Sequence, residues 1–229
     1  MVRLVLNKVD VSPATLLRLV SAIGSAAVFG MLAAPMTRGA YWPSAFGLAF
    51  VFGFFFVGGT GYRILIAVLF QDASRKASAS WSGATAASAL AALTAAILFI
   101  GRDGDSVLVF AAYAVAINTA YIPVKFACLE AGCCHAHYRD PFLIRDHDLR
   151  RVEITLSILV LVACLTSIWL DAFGVAAAVG IGGHLGVRIL SRWSRDRLPG
   201  SSLDGDLKGP ELLPLALVLV AAVWAAAYQ

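Results

Sequence analysis

The chain has 229 residues, of which 60% are apolar and only 14% are charged. Soluble domains usually carry about 25% charged residues, so this composition excludes a water-soluble globular domain and, for the same reason, a disordered chain. Long unbroken runs of Ala, Leu, Val and Gly lack the strict alternation of a β-barrel. The sequence therefore predicts an all-α integral membrane protein with no separate soluble domain.

Seven apolar segments are candidates for membrane spans, each of which needs about 20 residues. We expect a single polytopic domain over residues 1–229, with helices at about 16–36, 43–70, 82–100, 106–124, 152–170, 172–190 and 211–228. Abundant Gly, Ala and Ser in these segments favour close packing of helices in lipid. The connection between the fifth and sixth segments is essentially Asp171, which predicts a tight antiparallel hairpin.

Basic residues are unevenly distributed over the two sides of this predicted topology. When loops are assigned alternately from the N-terminus, nearly all their lysines and arginines fall on the first side, and only Arg38 and Arg102 fall on the second. The positive-inside rule then predicts a cytoplasmic N-terminus, a cytoplasmic loop at 125–151 and a non-cytoplasmic C-terminus. The net charge of +4 is explained by orientation and contact with lipid headgroups rather than by nucleic-acid binding.

Ten residues of the loop between the fourth and fifth spans hold three of the four cysteines and two of the four histidines: Cys128, Cys133, Cys134, His135 and His137. These are potential metal ligands, although their spacing matches no common zinc pattern. Redox chemistry at the adjacent cysteines is a second interpretation. A structural role, in which small side chains let the loop turn sharply, is the third, and residue chemistry alone favours it. Cys164, in the middle of a span, is expected to be a packing residue.

Ionisable residues also occur inside the predicted spans, where they are costly and usually face the protein interior. Glu153 opens the fifth span, His184 and Arg188 lie four apart on one face of the sixth, and Arg63 lies in the second. Pointing inward, they would form a polar cavity suited to a phosphate-bearing lipid headgroup. The alternative is that the arginines extend to the membrane interface, which we favour for Arg63 and leave open for Arg188.

Six short motifs occur in order along the chain: Gly58-Gly59-Thr60-Gly61-Tyr62, Ser80-Trp81-Ser82-Gly83, Lys125 to Gly132, Gly132-Cys133-Cys134-His135, Arg151-Val152-Glu153 and Gly186-Val187-Arg188. Together they resemble the prolipoprotein diacylglyceryl transferase family, which are seven-span bacterial enzymes that move a diacylglyceryl group from phosphatidylglycerol to a lipoprotein cysteine. The Gly-Cys-Cys-His motif is the most specific part, because it is similar to a G-C-C-H-G variant of the family signature.

The resemblance implies transfer of a diacylglyceryl group from an anionic phospholipid to a thiol, carried by a cysteine-bearing protein or a small molecule, in the bacterial cytoplasmic membrane. It implies no cofactor, no metal and no nucleic-acid partner. The catalytic residues would be His135, His184 and Glu153. The phospholipid would be bound by Lys125, Arg188, Arg151 and Gly83. The remaining motif residues would be Cys128, Gly132, Cys133, Cys134 and His137.

The chain also departs from the family's pattern. Ser82 stands where the family has its essential histidine, Lys125 replaces an arginine, Cys128 replaces an asparagine, and Arg192 replaces a glutamate. The family's large head region is missing, and its motif loop lies on the non-cytoplasmic face, opposite to the charge distribution here. Three functions therefore remain open: a transferase of this family, a non-catalytic membrane protein that binds lipid or a partner, and a thiol or metal protein.

Overall fold

The computed structural model describes residues 4–6, 9–11, 13–33, 57, 61, 64, 68, 81–100, 106–130, 137–139, 146–196 and 211–227. The described chain is almost entirely helical, which confirms the helical part of the prediction. Its helices are α1 (Pro13–Ala33), α2 (Trp81–Ile100), α3 (Ser106–Glu130), α4 (Leu149–Trp169), α5 (Phe173–Asp196) and α6 (Leu212–Ala227). Four positions within the predicted second span are also helical: Val57, Gly61, Ile64 and Val68.

Two short antiparallel hairpins accompany the helices. Strand β1 (Leu4–Leu6) pairs with β2 (Val9–Val11), and β3 (His137–Arg139) pairs with β4 (Asp146–Asp148). Strands β3 and β4 lie between α3 and α4 in the sequence, and β4 is followed directly by α4.

The connection between α3 and α4 is shorter than predicted. We expected a loop over 125–151, but α3 continues to Glu130 and α4 begins at Leu149. Lys125 and Cys128 are therefore helical rather than in a loop. The helix can continue through Lys125 because the charge of this residue is paired inside the bundle.

Within the part of the chain that the structure describes, three helical segments are long and apolar enough to cross a membrane: Ser106–Glu130, Leu149–Trp169 and Phe173–Arg192. Large apolar side chains are exposed on the outer surface of the bundle, among them Leu159, Val162 and Trp169 of α4. Charged side chains are buried inside it. This distribution is the reverse of that in a soluble protein and is consistent with a membrane protein.

Helix α3 lies at the centre of the bundle. It packs against α1, α2, α4, α5 and α6. In its most apolar 18-residue stretch 72% of the residues are buried, whereas in the corresponding stretch of α4 only 22% are buried. Close packing depends on small residues, since a Cβ added at Gly180 of α5 would lie 2.5 Å from the Cβ of Ala114 and 3.0 Å from the Sγ of Cys164. Cys164 is buried and its thiol donates to the carbonyl of Ala176 at 3.2 Å, in agreement with the predicted packing role.

A tight turn joins α4 to α5, as the sequence predicted. Asp171 adopts a left-handed conformation with a φ of 56°. Its amide donates to the carbonyl of Ile168 at 2.9 Å, and the amide of Ala172 donates to that of Ser167 at 2.8 Å. These two hydrogen bonds form the Schellman arrangement at the end of α4. The turn reverses the chain within three residues, so α4 and α5 pack side by side.

The helix ends far from this turn are those that carry polar residues. The beginnings of α2, α4 and α6 meet the ends of α3 and α5, as the contacts of Ser82, Glu153, Glu211, Lys125 and Arg188 show. Charged residues that are distant in sequence are thereby brought together near one end of the bundle.

Candidate functional site

A buried ion pair joins α3 to α4. The Nζ of Lys125 lies 2.6 Å from the Oε2 of Glu153, and the two side chains are 5% and 0% exposed. Isolated charges at such depth would be strongly unfavourable, so each of these residues requires the other.

Tyr121 connects this pair to α5. It lies one turn before Lys125 on the same face of α3, and its hydroxyl donates to the Oε1 of Glu153 at 2.9 Å. The same hydroxyl accepts a hydrogen bond from the Nη1 of Arg188 at 3.1 Å. The two cations also lie near the tyrosine ring, with the Lys125 Nζ 5.1 Å and the Arg188 guanidinium carbon 5.7 Å from its centre. Tyr121 is thus the hub of the site.

Glu211, immediately before α6, is held by two arginines of α5. Its Oε1 accepts hydrogen bonds from the Nη2 of Arg188 at 2.8 Å and from the Nε of Arg192 at 3.3 Å. Its Oε2 accepts from the Nη2 of Arg192 at 3.3 Å. The hydroxyl oxygen of Ser82, in the first turn of α2, also accepts from both arginines, at 3.2 and 3.4 Å.

These contacts form one continuous series, which we call the ionic chain: Arg192, Glu211, Arg188, Tyr121, Glu153 and Lys125. It contains three cations and two carboxylates, so among the described residues it has one cation more than carboxylates. Exposure of the side chains falls from 19% at Arg192 to 7% at Arg188. The ionic chain therefore leads from the edge of the bundle into its interior.

His184 lies beside the ionic chain, one turn before Arg188. Its ring is fully buried, and its centre lies 5.0 Å from that of the Tyr121 ring and 6.3 Å from that of the Trp81 ring. Neither ring nitrogen has a hydrogen-bond partner among the residues that the structure describes. In its neutral form the imidazole therefore has one donor and one acceptor that no described residue uses.

The four ionisable residues on which the sequence argument depended are therefore brought together. Lys125, Glu153 and Arg188 belong to the ionic chain, and His184 packs against its central tyrosine. Arg188 faces the interior, so the two alternatives left open for it are resolved in favour of the interior position. Gly83, predicted to bind phospholipid, is buried directly after Ser82 in α2.

Arg151, which the family resemblance assigned to phospholipid binding, lies outside this group of contacts. Its side chain is exposed, whereas that of Arg150 is buried. Successive helical residues point about 100° apart, and Arg150 is the one that lies three residues before Glu153 and so shares its face. Arg150 is bound to Asp148 at 2.6 Å, and its Nη1 donates to the carbonyl of Cys128 at 3.3 Å.

Asp148 is the N-cap of α4 and lies outside the membrane-spanning segment. Its Oδ1 accepts from the backbone amide of Arg150 at 3.0 Å and from the Nε of the same residue at 2.9 Å. The hydrogen bonds and charge of Arg150 lower the pKa of Asp148 from 3.8 to about 2. The pair of Asp148 and Arg150 fixes the position of the start of α4 relative to the end of α3. It thereby also fixes the position of Glu153 along the axis of the bundle.

The cysteine and histidine motif falls largely outside the described residues. This applies to Gly132, Cys133, Cys134 and His135, while His137 is placed only as the first residue of β3. Arg63 lies outside them as well. Among the residues that are described, no group of three or more His, Cys, Asp or Glu side chains could hold a metal ion.

Sequence reasoning did not predict three members of the ionic chain, of which Arg192 was named only as a departure from the family's pattern. Tyr121 was not singled out, because a tyrosine near the end of a predicted span is an ordinary interfacial residue. Glu211 was overlooked at the boundary of the last predicted span, although an acidic residue directly before an apolar run is a signal that could have identified it. Comparison with known proteins gave no match, either to a protein-family model or to a curated protein.

Proposed function

We propose that the chain is a seven-span protein of the bacterial cytoplasmic membrane that binds an anionic phospholipid, such as phosphatidylglycerol, and transfers its diacylglyceryl group to a thiol. The observation that carries this proposal is the ionic chain, in which Arg188 and Arg192 converge on one point beside Ser82 inside an apolar helical bundle. The sequence resemblance to the prolipoprotein diacylglyceryl transferases supplies the type of reaction.

The number of spans is supported by the described helices. Six helices and the helical positions at 57, 61, 64 and 68 correspond to the seven apolar segments of the sequence. The charge distribution of the loops would place the ionic chain at the cytoplasmic leaflet. The phospholipid would accordingly enter from that leaflet.

The phosphate of the lipid would be bound by the cations of the ionic chain. A guanidinium presents several donors in a planar fork that matches phosphate oxygens, and Arg188 and Arg192 present two such forks to the same place. Lys125 adds a third positive charge deeper in the bundle. A hydrogen bond to a charged group contributes about 1.5–3 kcal/mol, so two forks suffice to orient a headgroup.

The transfer step would be a nucleophilic substitution at the glyceryl C3 of the lipid. The sulfur of the acceptor forms a bond to this carbon, the bond from the carbon to the phosphate oxygen breaks, and glycerol phosphate leaves with the electron pair. The thiol proton passes to a base, for which His184 is the proposed residue because both its nitrogens lack partners among the described residues. Arg188 and Arg192 would stabilise the charge that develops on the leaving phosphate.

One observation favours binding without catalysis as a second candidate function. Ser82 stands where the resembled family has a histidine, and its hydroxyl oxygen accepts hydrogen bonds from two arginines. A hydroxyl in this position does not act as a general base at neutral pH. If no other base serves the thiol, the site would hold a phospholipid without transferring its diacylglyceryl group.

A transfer assay tests the proposed reaction. Purified protein in nanodiscs of phosphatidylglycerol would be incubated with a cysteine-containing peptide, and the peptide would be examined by mass spectrometry for a diacylglyceryl thioether. We expect product with the wild type, and a rate lower by a factor of about 10²–10⁴ in His184→Gln, as is typical for loss of a general base.

The matched control is Asn118→Ala, which removes another buried polar side chain of the bundle, one that binds the carbonyl of Gly180 at 3.0 Å rather than the ionic chain. This variant should retain activity in proportion to its folded fraction. Absence of product from wild-type protein that carries bound phosphatidylglycerol would contradict the transferase and leave the lipid-binding function.

A further inference from the structure

The carboxylate of Glu211 is bound in the manner expected for a ligand. Its Oε1 receives hydrogen bonds from the Nε and Nη2 of Arg188, at 3.2 and 2.8 Å, and from the same two nitrogens of Arg192, both at 3.3 Å. The oxygen thus lies between two guanidinium forks. The hydroxyl of Ser82 lies against the same pair of guanidinium groups.

This arrangement is also the one that a phosphate group requires. Planar forks from two arginines, supplemented by a hydroxyl, match the oxygens of a phosphate as well as those of a carboxylate. The donors that would hold the phosphate in the proposed function are therefore the same nitrogens that now hold Glu211. The two anions cannot occupy the position together.

We infer that Glu211 is an internal competitor for the anionic ligand, and that a phosphate ester binds by exchanging with its carboxylate between Arg188 and Arg192. This inference rests on the proposed function, because it assumes that a phosphate ester enters the site. Glu211 would then set the affinity for the phosphate ester. Neither the apolar pattern nor the motifs of the sequence identified this residue.

Glu153 is not suited to the same role. Its side chain and that of Glu211 are both 0% exposed, but Glu153 is fixed deep in the ionic chain, by the Nζ of Lys125 at 2.6 Å and by the hydroxyl of Tyr121 at 2.9 Å. Glu211 lies next to the most exposed member of the ionic chain, Arg192, at 19% exposure. Exchange at Glu211 therefore involves the end of the ionic chain that reaches the edge of the bundle.

The position of Glu211 on the backbone also favours exchange. Its carbonyl accepts the first hydrogen bond of α6, from the amide of Leu215 at 3.0 Å, so the residue lies at the N-terminus of that helix. The partial positive charge at a helix N-terminus stabilises a nearby carboxylate. When a phosphate ester takes its place between the arginines, the carboxylate can remain charged beside the first amides of α6.

The experiment measures affinity for phosphatidylglycerol in Glu211→Gln, which keeps the size of the side chain and removes its charge. Protein in phosphatidylcholine nanodiscs would be titrated with phosphatidylglycerol, and binding would be followed by native mass spectrometry. We expect Glu211→Gln to bind more tightly than the wild type, by a factor on the order of ten. Glu153→Gln, which makes the same change of charge deeper in the ionic chain, should show a smaller gain.

Two further variants keep the test decisive. The double variant Glu211→Gln/Arg192→Gln should lose the gain, because one of the two forks is removed together with the competitor.

If Glu211→Gln does not fold, Glu211→Asp replaces it. This change keeps the charge, shortens the side chain by one methylene and weakens its contact with the arginines, so it should also raise the affinity. Glycerol phosphate, added as a soluble probe, shows whether the phosphate is recognised without the lipid chains.

The outcomes separate the inference from the proposed function. If the wild type binds phosphatidylglycerol and Glu211→Gln binds it with lower or unchanged affinity, the competitor role is overturned and phospholipid binding is left intact. The same reading applies to Glu211→Asp where that variant replaces Glu211→Gln. Absence of binding by the wild type and by every Glu211 variant would overturn both.

Discussion

Tyr121 shows how one hydroxyl can join two buried charges. It donates to Glu153 and accepts from Arg188, so it carries the only direct hydrogen bonds between the two halves of the ionic chain among the described residues. Both charged groups are buried, at 0% exposure for Glu153 and 7% for Arg188. The position is therefore the one where the smallest chemical change should have the largest effect.

Replacement of Tyr121 by Phe removes this hydroxyl and leaves the ring in place. Because both partners are charged and buried, we expect the free energy of unfolding to fall by about 1–3 kcal/mol. The matched control is Tyr113→Phe in the same helix, where the hydroxyl contacts the neutral Ser88 at 3.3 Å and the expected loss is about 0.5–1.5 kcal/mol. Thermal unfolding in detergent measures both, and equal losses would argue against a special role for Tyr121.

Asp148 gives a prediction for acid stability. Since Arg150 lowers the pKa of Asp148 in the folded protein from 3.8 to about 2, the ionised carboxylate contributes stability that is complete above the higher pKa. This contribution is lost as the pH falls through the lower one. Asp148→Asn keeps the N-cap and removes the charge.

We therefore expect the wild type to lose stability relative to Asp148→Asn as the pH falls from about 5 to about 2, by about 1 kcal/mol. The difference between the two proteins should be constant above this range. Unfolding followed by circular dichroism at several pH values measures it. A difference that does not change with pH would mean that the pKa of Asp148 is not lowered.

At the level of the helices, close packing of α5 depends on particular glycines. A methyl group at Gly180 would overlap with Ala114 of α3, whereas a methyl group at Gly186, two turns closer to the ionic chain, meets no described atom within 4 Å. The same substitution should therefore have opposite effects at the two positions.

We expect Gly180→Ala to destabilise the protein by about 1–3 kcal/mol, because α3 and α5 must move apart. Gly186→Ala should be neutral or stabilising by up to about 1 kcal/mol, since alanine favours the helix more than glycine does. Thermal unfolding of the two variants, prepared side by side, decides between these effects. Equal destabilisation by both would show that the contact between α3 and α5 is not the cause.

The helices themselves were largely predictable, and the polar contacts between them only in part. Apolar runs located α4 and the start of α5 to within about three residues, because hydrocarbon requires an uninterrupted helix, whereas α5 continues to Asp196, beyond its predicted end at 190. The sequence did not predict that α3 would continue past Lys125, since the partner that permits this, Glu153, lies in a different helix. Periodicity along one helix contains no information on which helix supplies the opposite charge.

At the level of the whole molecule, composition identified the class but not the site. Only 14% of the residues are charged, so apolar side chains make up much of the surface. The few charged side chains that are buried form ion pairs. The sequence singled out Glu153, His184 and Arg188 as ionisable residues in apolar segments, and the family resemblance added Lys125. It could not show that Glu211 lies between Arg188 and Arg192, because that contact depends on how α6 packs against α5.

The central claim is that the ionic chain binds an anionic phospholipid, and the amount of such lipid that co-purifies with the protein tests it most directly. The comparison is between the wild type, Arg188→Gln and the exposed control Arg151→Gln, with the bound lipids quantified by mass spectrometry. The account predicts phosphatidylglycerol in the wild type and in Arg151→Gln, and a decrease on the order of tenfold in Arg188→Gln. Equal amounts of anionic lipid in all three proteins would contradict it.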